Sequence, residues 1–68
     1  MMSDADLRAA LAAAAYDVAS AAMYGVSRQR MSRLEAVLDD LRHSAALRGI
    51  DPEPHEAEGW RRVRELAQ

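Results

Sequence analysis

Apolar residues recur along the chain at spacings of three and four, the period of a helix buried on one side. Leu7, Leu11, Ala14, Val18 and Ala21 form a first seam, narrow enough for coiled-coil-like packing. Met31, Leu34, Leu38, Leu41 and Ala45 form a second, widened by Val37. Trp60, Val63 and Ala67 make a shorter third face, with Ala57 ahead of it and Leu66 beside it. The seams predict helices over about 4–24, 28–48 and 54–67.

Punctuation between the seams agrees. Ser3 precedes Asp4 and Asp6, so an N-cap is followed by negative charge in the first turn, where the helix dipole favours it. Gly25 suits the left-handed stop of helix one, Val26 an apolar residue packing back, and Ser27 the next N-cap. Gly49 and Ile50 repeat that arrangement at the end of helix two. Residues 49–53 read as a connector, because Glu53 precedes a proline and Pro54 suits a first helical position. Two helices of similar length with a short link predict an antiparallel αα-hairpin, with the third helix folded on it. The fold class is all-α, in one domain over 1–68. Trp60 is expected to cover the end of the hairpin, and Gly59 to weaken the third helix by ~1 kcal/mol relative to Ala.

Length sharpens this picture. A chain of 68 residues buries only about 60% of the surface its unfolded form exposes. A core of that size supplies stability of roughly 3–5 kcal/mol. No cysteine is present to add a disulfide or thiolate–metal site. A homo-oligomer is therefore expected, through the Ala-rich seam of Leu7, Leu11, Ala14, Val18 and Ala21. Ten of the residues from 4 to 24 are Ala, small enough for close helix approach.

All nine basic residues are Arg, and fifteen residues are Ala. Both amino acids have GC-rich codons, which points to a high-GC bacterium or one of its phages. The start Met1-Met2-Ser3-Asp4 lacks the basic character of a secretory signal, and no apolar run nears a membrane span. The expectation is a cytoplasmic protein (host cytoplasm if phage-encoded) with no membrane partner. A net charge of −2 argues against a uniformly basic nucleic-acid coat.

Candidate chemistry is sparse. His43 and His55 lack metal-ligand spacing, and Asp39 four residues before His43 makes a helical surface pair. Asp39 and Asp40 are neighbours that diverge on a helix. Ser20, Ser27, Ser32 and Ser44 have no base at a useful offset, and no glycine-rich phosphate loop occurs. No catalytic residue, metal, cofactor or small-molecule substrate is expected, and the chain reads as non-enzymatic. Arg61 and Arg62 follow Glu58 at three and four residues, a solvated ion-paired face. Arg28, Arg30 and Arg33 differ, because no acid lies three or four residues away and they occupy the end of helix two that repels cations. They read either as a surface for an anionic partner or as partners of Asp4, Asp6 or a Glu across the fold.

The stretch Ala21-Ala22-Met23-Tyr24-Gly25-Val26-Ser27-Arg28-Gln29-Arg30-Met31-Ser32-Arg33-Leu34-Glu35 resembles the helix-turn-helix of phage-repressor (Cro-like) DNA-binding proteins. Ala21 matches the family's small inter-helix residue, Gly25 its turn glycine, Val26 the apolar residue after it, and Met31 and Leu34 its recognition-helix core. The resemblance implies DNA contacts from Ser27, Arg28, Gln29, Ser32 and Arg33, with Arg suited to guanine and Gln to adenine. The same spacing suits a plain helical hairpin. Two readings follow: a self-associating protein-interaction module using Ser27, Arg28, Gln29, Arg30, Ser32 and Arg33, and a helix-turn-helix regulator using residues 27–33. A protein partner ranks ahead of DNA. Near-antiparallel packing of the first two helices favours the former, a crossing near 90–120° the latter.

Overall fold

The computed structural model describes residues 1–67 as three helices, α1 (Asp4–Tyr24), α2 (Arg28–Leu47) and α3 (Glu53–Ala67), with no strand among them. Each start has a local cause. Ser3 Oγ accepts from the Asp6 N–H at 3.0 Å, and Ser27 Oγ from the Arg30 N–H at 3.2 Å. At α3, Asp51 Oδ1 accepts from the Glu53 N–H at 3.0 Å. Helix α3 therefore begins one residue before the expected Pro54. The restriction that proline places on Glu53 is tolerated in this first turn, where no earlier helical residue has to be accommodated.

Helix α2 ends on a Schellman motif. The Ile50 N–H donates to the Ala45 carbonyl at 2.9 Å, and the Gly49 N–H to that of Ala46 at 3.2 Å. Gly49 has φ +69°, the left-handed conformation this motif needs. The apolar partner packs back as expected, and Ile50 is buried against Ala45. Gly25 closes α1 differently. Its N–H donates to the Ala21 carbonyl at 2.9 Å, but φ +84° with ψ 131° sends the chain off extended rather than back over the helix. Val26 consequently stays in solvent, where the sequence pattern places it against the last turn.

Helices α1 and α2 are antiparallel. Arg48, just past the end of α2, pairs with Asp4 at the start of α1 at 3.1 Å. Two helices of ~30 Å joined at one end and crossed at a right angle would hold those ends ~40 Å apart. Leu7, Leu11, Ala14, Leu38, Ala45 and Ile50 form the core between them, flanked by Val18 and Leu41.

Helix α3 packs on a different flank of α1 and does not pack on α2. A bidentate contact from Arg42 to Glu56 ties α2 to α3, Nε to Oε2 at 3.0 Å and Nη2 to Oε1 at 2.5 Å. Hydrogen bonding to Glu56 raises the Arg42 pKa further above its ordinary value, so the guanidinium stays charged.

Two expectations are corrected. The stripe of α3 against α1 centres on Gly59 and Val63, both buried, while Trp60 is 43% exposed and Ala67 lies in solvent. The reason is close approach: a Cβ at Gly59 would stand 2.5 Å from the Ala12 carbonyl oxygen and 2.7 Å from the Tyr16 nitrogen. With glycine at the contact, Trp60 is turned about 100° round the helix to its edge. The second correction concerns the seam expected to self-associate. Leu7, Leu11, Ala14 and Ala21 are buried and Val18 half-buried, and Leu7, Leu11, Ala14 and Val18 pack in the core that α2 of the same chain covers. A second chain could reach that seam only if the hairpin opened.

Candidate interaction surface

Charge at the helix starts sets one region apart. Helix α1 carries Asp4 and Asp6 in its first turn and α3 carries Glu53 and Glu56, whereas α2 has no acidic residue there. Its start holds Arg28, Gln29 and Arg30, with Ser32 and Arg33 one turn on, all exposed. Ser27 Oγ is occupied as the cap and so anchors this segment.

The arginines there are not neutralised by any acid of the described residues. Arg42, Arg48, Arg61 and Arg62 all make ion pairs, with Arg62 reaching Glu58 at 2.7 Å. Among the described residues Arg28, Arg30 and Arg33 make none. Arg8 and Arg64 also make none among the described residues, but Arg8 stands alone and Arg64 lies beside Arg61 and Arg62, which are paired with Glu58 and Glu65. Of the acids expected to neutralise Arg28, Arg30 and Arg33 across the fold, Asp4 is engaged at the far end of the hairpin by Arg48, and neither Asp6 nor a Glu of the described residues pairs with them. Asp39, expected beside His43, pairs instead with Arg42 at 3.0 Å.

Exposed apolar side chains surround this cluster. Met23, Tyr24 and Val26 are 47%, 68% and 39% exposed. A shallow open hollow lies between Asp17, Ser20 and Tyr24 of α1 and Arg30 and Leu34 of α2. A second, on the other side of the turn, lies between Ala22 and Gly25 and the side chains of Arg28, Met31 and Glu35. Sequence reasoning found the arginines but not Met23 and Tyr24, which continue the regular pattern of α1. The signal available was that helix α2 has no apolar residue before Met31 to cover them.

No other cluster offers chemistry. No group of three or more His, Asp or Glu converges among the described residues. No polar or charged side chain among them is buried, so none is held in the desolvated setting that tunes an acid or base. No helix among the described residues is long and apolar enough to cross a membrane. No family model, curated protein or solved structure matches the chain.

Proposed function

We propose that this chain is a non-enzymatic protein-interaction module that self-associates and presents the first turns of α2 to an acidic macromolecular surface. The observation that carries the reading is the unpaired cluster of Arg28, Arg30 and Arg33 at the helix end that disfavours positive charge. Cations there cost ~0.3–1 kcal/mol each in helix stability. A feature that opposes folding and is satisfied by no acid among the described residues is accounted for by a partner outside the chain. The adjacent Met23, Tyr24 and Val26 supply apolar area for the same contact. Antiparallel pairing of α1 and α2 supports this reading over the helix-turn-helix resemblance, whose DNA-facing positions would be Ser27, Arg28, Gln29, Ser32 and Arg33.

Replacing Arg28, Arg30 and Arg33 together by Gln is expected to leave helicity and melting temperature unchanged or slightly raised, as circular dichroism would show. A large loss of stability would make the arginines folding elements and end the interaction reading. Titrating the parent with a mixed-sequence DNA duplex addresses the alternative. Absence of binding at ~50 mM salt favours a protein partner, whereas binding that weakens steeply with salt and flattens in the triple variant assigns the surface to phosphates.

A further inference from the structure

The face of the hairpin that α3 leaves uncovered carries both halves of a self-complementary contact. Three sides of α1 are distinguishable. One faces α2 through Leu7, Leu11 and Ala14, and a second faces α3 through Ala12, Ala15 and Tyr16. The third runs along Ala13, Asp17, Ser20 and Tyr24 at spacings of four, three and four. The hollow that brings Asp17 and Tyr24 beside Arg30 and Leu34 shows that this third side is continuous with one row of α2. That row continues at helical spacing through Val37 and Leu41, of which Val37 is 53% exposed.

The cations of this face, Arg30 and, at the rim, Arg33, lie on α2, whose rim also carries Asp40 seven residues past Arg33. Helix α1 contributes only acids, Asp17 at the level of those arginines and Asp6 three turns before it. Asp17, Arg30 and Arg33 are exposed, and none makes an ion pair among the described residues. Their heights match as well. Asp17 lies seven residues before Tyr24, and seven residues past Arg28 is Glu35, so Asp17 stands level with Glu35, within a turn of Arg33 and about one and a half turns from Arg30.

We infer that the acidic surface received by Arg30 and Arg33 is Asp17 of a second copy of this chain. A two-fold axis parallel to the helices sets α1 of each copy opposite α2 of the other. Asp17 then meets the partner's Arg30 and Arg33 twice, with Tyr24, Leu34, Val37 and Leu41 between the two charged sites. The product is an antiparallel four-helix bundle with α3 outside on each copy. An axis across the helices would instead set α1 against α1, and Asp17 would face no arginine of the partner's α2.

The available area is adequate. The chain exposes 4731 Å², against roughly 4250 Å² for a compact monomer of its 7.5 kDa mass. It is also thin, with extents of 32 × 27 × 16 Å. A strip two helices wide is of the order of the ~800 Å² per partner in standard interfaces. Arg28 lines the hollow on the other side of the turn and stays outside this contact. The inference rests on the interaction reading above and names the partner.

Light scattering on size-exclusion fractions of the full chain tests it. The parent is expected at about 15 kDa, twice its chain mass. Asp17→Arg alone, and Arg30→Asp with Arg33→Asp, are each expected to weaken association at least tenfold and elute as monomers with parental helicity. Mixing the two variants should restore the 15 kDa species, because only the heterodimer places opposite charges at both sites. A monomeric parent at ~100 µM, a variant that remains dimeric, or a mixture that fails to pair would each overturn the inference. Because a dimer adds stability by mass action, the triple-Gln melt of the interaction reading is taken at a concentration where light scattering finds parent and variant both monomeric, so that loss of the dimer does not enter it.

Discussion

Both connections in this chain are built from the same order of residue types, Gly25-Val26-Ser27 and Gly49-Ile50-Asp51, yet they behave oppositely. At the second, Ile50 is 8% exposed; at the first, Val26 is 39% exposed. The difference lies in the backbone after the glycine. The Ile50 N–H bonds back to Ala45, which turns its side chain onto the core, whereas the extended ψ at Gly25 carries Val26 outward with no such bond. The closed end also gathers the Arg48–Asp4 and Arg42–Glu56 pairs, while the open end keeps its arginines unpaired. A glycine, an apolar residue and a cap therefore specify where a helix stops, but not whether that stop becomes part of the core. The end that contributes least to the core is the end that leaves its apolar and cationic side chains in solvent.

Five substitutions, taken as three tests, sharpen that contrast. The largest effect is expected on the closed side from Gly59→Leu, whose side chain has no room against the backbone of Ala12 and Tyr16. It should undock α3 and remove its share of the helical signal in circular dichroism; a spectrum and melt like the parent's would show that α3 does not depend on this close approach. Next, Ile50→Ala is expected to cost ~2–5 kcal/mol, while Val26→Ala at the matching position stays within ~0.5 kcal/mol. Equal costs in denaturant titrations would erase the distinction between the two turns. The smallest effect concerns the helix starts. Arg28→Glu should raise stability by up to ~1 kcal/mol, and Glu53→Arg should lower it by a similar amount. A fall in melting temperature for Arg28→Glu would mean that Arg28 supports the fold through a contact absent from the ion pairs described above.

Much of this fold was legible in the chain. Ser3, Ser27, Gly25 and Gly49 marked the limits of α1 and α2 to within a residue, because capping is a local interaction between near neighbours. The docking of α3 was not. Sequence periodicity gives weight to large side chains, so it chose Trp60 for the buried stripe, whereas the contact is made by Gly59 through the absence of a side chain. For the same reason the two buried flanks of α1 could not be separated. Leu7 and Leu11 mark the flank toward α2, but the flank toward α3 consists of Ala12, Ala15 and Ala19 within an alanine run that carries no contrast. In the candidate site, Arg28, Arg30 and Arg33 stood out because charge spacing is readable along a helix. Their juxtaposition with Asp17 and Tyr24 depends on tertiary pairing and could not be read.

The separation of α2 from α3 has a consequence for motion. Each leans on α1 alone, joined to the other by the connector and one surface guanidinium–carboxylate pair. Either outer helix can detach while the remaining pair keeps its contacts, so the molecule has two distinct partial openings. Helix α1 has no such option, because it loses its last packing partner only when both have gone. Away from its exposed ends, its amides are therefore expected to open only when the whole chain unfolds, with the slowest hydrogen exchange in its alanine-rich middle.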